Sequence, residues 1–211
     1  NWMNNSFRNN AKVRMDLYKR CGYIAAAGDR HLAEFMDNAD YLGDPENVKR
    51  WNFGLTTVAW RKDRMQERLA RGQRLYSGEE VYELRDSGEE GVNQIHALLG
   101  LSTLVTNVNV PNQGQISNLP IGTIVETNAA FRDGMFQPLF AGAVPESIYP
   151  LVSRAARENE DIVDAGFSGD LKFCCEKFKK LNMLKTLTDE QKETLFWEMV
   201  EGTKAYLGDF K

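Results

Sequence analysis

The chain has 211 residues, 42% of them hydrophobic and 27% charged, with a formal net charge of -4, so it has ordinary globular composition and enough length to bury a core. The acidic balance argues against a general nucleic-acid surface, and the sequence shows neither an apolar run of membrane length nor a signal peptide. Three cysteines, two of them adjacent at 174 and 175, make no disulfide framework and point to a reducing cytoplasm.

The chain opens at Asn1 rather than Met and reads straight into a helix, as if polypeptide preceded it. Asn5-Ser6 offers an N-cap, Phe7, Ala11, Tyr18 and Cys21 recur at helical intervals, and Gly22 supplies the stop. Next comes the densest cluster of chemically capable side chains, Gly28-Asp29-Arg30-His31-Leu32-Ala33-Glu34-Phe35. With Asp29 as N-cap of a short helix, Arg30, His31 and Glu34 project over an arc of about 100°, while Leu32, Phe35 and Met36 face elsewhere. That is the layout of a site wall; it is equally the layout of an N-cap beside a surface ion pair.

Asp44 and Pro45 predict the start of another helix. A highly charged helix follows over about Thr57 to Arg71, and its cations from Arg61 to Arg74 read as a solvated face because Asp63 and Glu67 interrupt them. Ser77 with Glu80, and Ser87 with Glu90, have capping-box spacing. The second box precedes an apolar stripe of Val92, Ile95 and Leu99 that carries His96, read as a core or edge histidine. The period then changes to two: Leu104, Thr106, Val108 and Val110 alternate with Val105, Asn107 and Asn109 until Pro111. A second strand is expected at Thr123 to Thr127, and a hairpin around Arg132-Asp133-Gly134. Helices return from Pro145, through Leu151, Val152, Ala155, Ile162 and Val163 with a break at Gly166 and Gly169. They continue with a stripe of Leu171, Cys174, Cys175 and Phe178 and a last helix capped by Thr188 and Gln191, with Leu195, Phe196 and Met199 inward. Without a C-x-x-C or nearby His, the cysteines read as small core hydrophobes. The fold class is α+β, helices around a small, mainly antiparallel sheet.

Between the first two strands lies Asn112-Gln113-Gly114-Gln115-Ile116-Ser117-Asn118-Leu119-Pro120. Side-chain amides carry both donors and acceptors, which suits a polyhydroxylated ligand; amides in loops also satisfy the loop's own backbone. No G-x-G-x-x-G or G-x-x-x-x-G-K-[ST] run occurs, so the chain has no sequence signature for cradling nucleotide phosphates.

The stretch from Ala25 through Phe35, with Val108 through Pro120 and Ile124-Val125-Glu126 far downstream, resembles the C-terminal half of the NAD- and manganese-dependent family 4 glycoside hydrolases, most of all their alpha-galacturonidase branch. The resemblance covers nearly the whole chain. It implies a fold like the C-terminal domain of lactate/malate dehydrogenase-like enzymes, with residues 1–211 forming a substrate-binding and oligomerisation domain. The dinucleotide-binding domain, and with it most of the NAD and manganese(II) sites, would lie on an N-terminal half absent from this chain. Neither Cys21 nor His31 is matched to a metal ligand.

The activity implied is hydrolysis of alpha-galacturonides or related alpha-glycosides by NAD-dependent oxidation, elimination, addition and reduction, an exception to the two-carboxylate scheme. By the same resemblance Asp29 is the candidate base or acid/base partner, with Tyr23 as alternative. Arg30 would pair with a uronate carboxylate in a fork that Lys cannot mimic. His31 and Glu34 would contact hydroxyls or support the metal's surroundings, and Asn112, Gln113 and Asn118 would lie near the substrate. The isolated chain is expected to be inactive, and its partners are a sugar, its own dinucleotide domain and further copies of itself. A 2-hydroxy-acid dehydrogenase domain and a non-catalytic dimerisation module are the alternatives.

Overall fold

The computed structural model describes residues 11–86, 88–208 and 210, with Asn38 and Ala39 described by backbone alone. In chain order its helices are α1 (Lys12–Cys21), α2 (Asp29–Phe35), α3 (Asn38–Tyr41), α4 (Pro45–Trp51), α5 (Val58–Ser77) and α6 (Gly91–Leu98). Strands β1 (Leu104–Pro111), β2 (Ile124–Arg132) and β3 (Met135–Pro138) follow, then α7 (Tyr149–Ser168), α8 (Leu171–Phe178) and α9 (Asp189–Thr203). The strands form one small sheet in the order β1-β2-β3, so the α+β class holds. The chain divides into two units: Asn1–Phe53, Val108–Thr127 and Phe140–Lys211 make one, Gly54–Asn107 and Asn128–Leu139 the other. Among the described residues no helix is long and apolar enough to cross a membrane.

In the first unit α1 ends as expected, with Gly22 at φ 82° and its N–H bonded to Tyr18 O at 2.7 Å. The expected start at Asn5-Ser6 and Phe7 lies outside the described residues. Val13, Leu17, Ala33, Met36 and Tyr41 are buried together, and Leu32, Trp51, Phe53 and Leu151 pack around them. Tyr41 is the largest of these. Its hydroxyl donates to Asp16 at 2.7 Å and accepts from Arg20 at 3.2 Å, and burial, reinforced by Asp16, pushes its pKa up to about 12. Helix α4 starts as read, with Asp44 accepting from the Asn47 N–H at 2.7 Å and Pro45 in first place.

Further on, α7 buries Ala165, while Ile162 and Val163 stand half in solvent at 53% and 50% exposure. Helix α8 is capped by Asp170, and Cys175 is buried, which raises its thiol pKa and leaves it a core hydrophobe. The reciprocal box at Thr188 and Gln191 opens α9 as expected. Phe196 is buried against Phe178 at 5.4 Å between centroids, but Met199 is turned outward.

In the second unit α5 starts at a Thr57 cap and runs past Arg71 to Ser77, and none of its residues is buried. The helix expected to begin at Ser77 does not form, because Gly78 adopts φ 78° and Glu80 folds back onto Arg71 at 2.6 Å and Arg74 at 3.1 Å. Helix α6 begins at Gly91, and the box involving Ser87 lies outside the described residues. Its expected stripe is corrected: Ala97 is buried, while Val92, Ile95, Leu99 and His96 are exposed. An eight-residue helix that packs through one small residue leaves the larger ones outside. The hairpin is as read: Arg132 pairs with Met135, and Asp133 and Gly134 both take positive φ, 48° and 79°, the geometry of a type I′ turn. Strand β1 alternates as expected, with Val110 buried and Val105, Asn107 and Asn109 outward.

Candidate functional site

The N-terminus of α1 organises the densest motif. Asp29 is not the N-cap of its own helix; Gly28 holds that place and Asp29 is the first helical residue. Its carboxylate turns back instead, accepting from the N–H of Val13 at 3.1 Å and of Arg14 at 3.2 Å, and so caps α1, whose local N-cap Ala11 provides no side-chain bond. Arg14 completes the clasp by donating to Ala27 O at 2.7 Å and Ala26 O at 3.0 Å. The loop before Asp29 is thereby fixed from the helix it follows.

Arg30 is half-buried, whereas His31 and Glu34 are exposed and meet, Nδ1 to Oε2, at 3.6 Å. Ala33, on the opposite side, is fully buried in the core. The motif therefore presents an imidazole and a carboxylate outward from a seven-residue helix locked by its small residue. Tyr23 stands 53% exposed in the loop.

The amide loop is built around Asn112, which is completely buried. Its Nδ2 donates to Leu119 O at 2.9 Å, Ile116 O at 3.0 Å and Pro120 O at 3.1 Å, and its Oδ1 accepts from the N–H of Ile116 and Gly114. Gln115 is also buried and accepts from the Gln113 N–H at 2.6 Å. Asn118 pairs with the Val144 peptide on both sides, at 2.8 and 2.9 Å, as a strand would. Asn112 and Asn118 thus hold the loop's backbone, and Gln113 is the exposed one of the three amides singled out.

Sequence reasoning did not single out the concave surfaces of the first unit. A cavity of about 710 Å³ lies between Pro120–Thr123 and α7, where Tyr149, Ser153, Arg157 and Glu160 point into it. Their spacing of i, i+4, i+8 and i+11 is one polar helix face, a signal that was present but masked by the apolar residues between them. A neighbouring cavity of about 380 Å³ shares Arg157 and Asp161 and gathers Arg154, Lys180, Lys185 and Lys192. Around it Asp37 is held below the usual carboxylate range, first by a hydrogen bond from Lys185 and then by Asn182. Neither cavity is lined by Asp29, Arg30, His31, Glu34, Asn112, Gln113 or Asn118. Helix α7 links the two regions: Leu151 packs on the core that holds α2, and Arg154 donates to Phe35 O. Among the described residues no three His, Cys, Asp or Glu side chains converge as a metal site.

Comparison with known proteins shows the family. The family model described as "Family 4 glycosyl hydrolase C-terminal domain" matches residues 1–179. An alpha-galacturonidase of Thermoanaerobacterium saccharolyticum is 49% identical over 211 residues, all of this chain and 45% of that protein. The crystal structure of a Bacillus subtilis protein named as a glucosidase, lplD, superposes with a TM-score of 0.81 at 42% identity, covering 94% of this chain and 45% of that one. A 6-phospho-beta glucosidase of Thermotoga maritima, solved with manganese, NAD+ and glucose-6-phosphate, shares the fold at TM-score 0.66 and 17% identity, covering 90% of this chain and 43% of that one. The chain spans about half the length of the curated relatives it matches.

Proposed function

From the premise that the chain belongs to the family 4 glycosyl hydrolases, spanning their C-terminal domain, we propose that it is the substrate-binding and oligomerisation domain of an alpha-galacturonidase. NAD and manganese would then be held mainly by polypeptide outside these residues. The reading rests above all on identity of 49% with an alpha-galacturonidase along the entire chain. The protein works in the cytoplasm on this view, which suits three free cysteines.

The chain's own residues supply positioning. Arg30, half-buried as a residue, sits on a helix whose register is fixed by Ala33 in the core, and a guanidinium is the group that meets a uronate carboxylate with two parallel N–H donors. His31 and Glu34, already paired, offer a donor and an acceptor to sugar hydroxyls. Gln113 does the same from the amide loop, which Asn112 and Asn118 keep rigid. Asp29 is the candidate base, and its two backbone N–H donors hold the carboxylate in one orientation.

The experiment is an assay of the protein made from its complete reading frame on an aryl alpha-galacturonide, with NAD and manganese added. Hydrolysis that fails when NAD is left out supports the reading. Hydride transfer from lactate or malate without glycoside cleavage would replace it by a dehydrogenase.

A further inference from the structure

The stretch that leads into Asp29 is Ala25-Ala26-Ala27-Gly28, four residues with no polar side chain to tie them down. Ala26, Ala27 and Gly28 are exposed, so burial does not hold them either. Gly28 is the N-cap of α2 and makes no side-chain bond to it. Among the described residues, Arg14 is the hydrogen-bond partner of both Ala26 and Ala27. Its Nη2 donates to Ala27 O at 2.7 Å and to Ala26 O at 3.0 Å, and its Nε to Ala27 O at 3.2 Å. The planar guanidinium presents its donors in a rigid fork, so the two carbonyls are fixed relative to each other as well as to α1.

The same residue meets Asp29 through its main chain. The Arg14 N–H bonds Asp29 Oδ1 at 3.2 Å and the Val13 N–H bonds Oδ2 at 3.1 Å. Each carboxylate oxygen therefore has one fixed donor and retains acceptor capacity. These main-chain bonds orient the carboxylate, while the Arg14 side chain holds the peptide units just before it. We infer that Arg14 is a positioning residue for turnover, acting through Asp29 by holding the loop that sets where the carboxylate stands. A reacting group displaced by about 1 Å can lose about 10²-fold in rate. The inference rests on the proposed function, with Asp29 as the base. Replacing the Arg14 side chain leaves its N–H in place, so the cap on α1 and the placement of the loop can be separated by mutation.

Steady-state kinetics test it in the protein made from its complete reading frame, on an aryl alpha-galacturonide with NAD and manganese. R14M should lower kcat by about tenfold to a hundredfold while the Michaelis constant changes by less than about twofold. R14K returns donors without the fork and should recover part of that loss. K12M removes a neighbouring cation of α1, which donates to Arg50 O at 3.1 Å, and should leave kcat within about twofold of wild type. In a D29N background R14M should cost less than about a further twofold, because residues that act through one group are not additive. Circular dichroism verifies that each variant folds, and R14Q replaces an R14M that does not. Unchanged kcat in R14M, an equal loss in K12M, no recovery in R14K, or the full loss repeated on D29N overturns the inference and leaves the proposed function standing. A wild type that cleaves no galacturonide overturns both.

Discussion

At the residue scale, Asp29 and Asn112 separate scaffold from chemistry. Asp29 closes the open end of α1, and Asn can still accept one of the same two N–H groups. Asp29→Asn should therefore cost at most about 1 kcal/mol of stability, while lowering kcat of the complete protein by about 10²- to 10⁴-fold. Unchanged turnover would leave Asp29 a helix cap only, and denaturant unfolding of the same preparation separates the two effects. Asn112→Ala removes the hub of the amide loop and strands several buried backbone groups; a loss of about 3 kcal/mol is expected in urea unfolding. Tyr41 gives a pH signature. With its folded-state pKa raised from 10.0 to about 12, the unfolded chain loses its phenolic proton first, so stability falls as pH rises through that window and is unaffected by this group below it. Tyr41→Phe should flatten the alkaline limb of the stability curve.

The element scale shows how much was legible beforehand and why the rest was not. Element boundaries set by local chemistry were readable: Gly22, Asp44-Pro45, Pro111, the turn at Asp133-Gly134 and the box at Thr188. Thr188→Ala should cost about 1 kcal/mol, read from thermal unfolding. What failed were inferences that needed to know the neighbour. The stripe of Val92, Ile95 and Leu99 has core periodicity, yet α6 seats only Ala97. Ser77 and Glu80 have capping spacing, but Gly78 had already ended the helix and Arg71 and Arg74 claimed the carboxylate. Likewise Asp29 looked like a cap and is one, for a helix that starts 17 residues earlier. A cap across the fold leaves no trace in spacing. The polar cluster from Asp29 to Glu34 was legible as a motif, whereas the α7 face of Tyr149, Ser153, Arg157 and Glu160 needed the loop at Pro120–Thr123 opposite it to be seen.

For the whole molecule, the claim is that one short helix recognises a uronic acid. Ala33 anchors it in the core, Asp29 ties it to α1, and Leu151 and Arg154 of α7 hold it from the other side. Such bracing gives the side chains that project from α2 fixed positions, as carboxylate recognition requires. The direct measurement is steady-state kinetics of Arg30→Lys in the protein made from its complete reading frame, on an aryl alpha-galacturonide and the matching neutral galactoside. A Michaelis constant raised by about tenfold or more for the galacturonide, with little change for the galactoside, is the expected result. Equal effects on both substrates would contradict it.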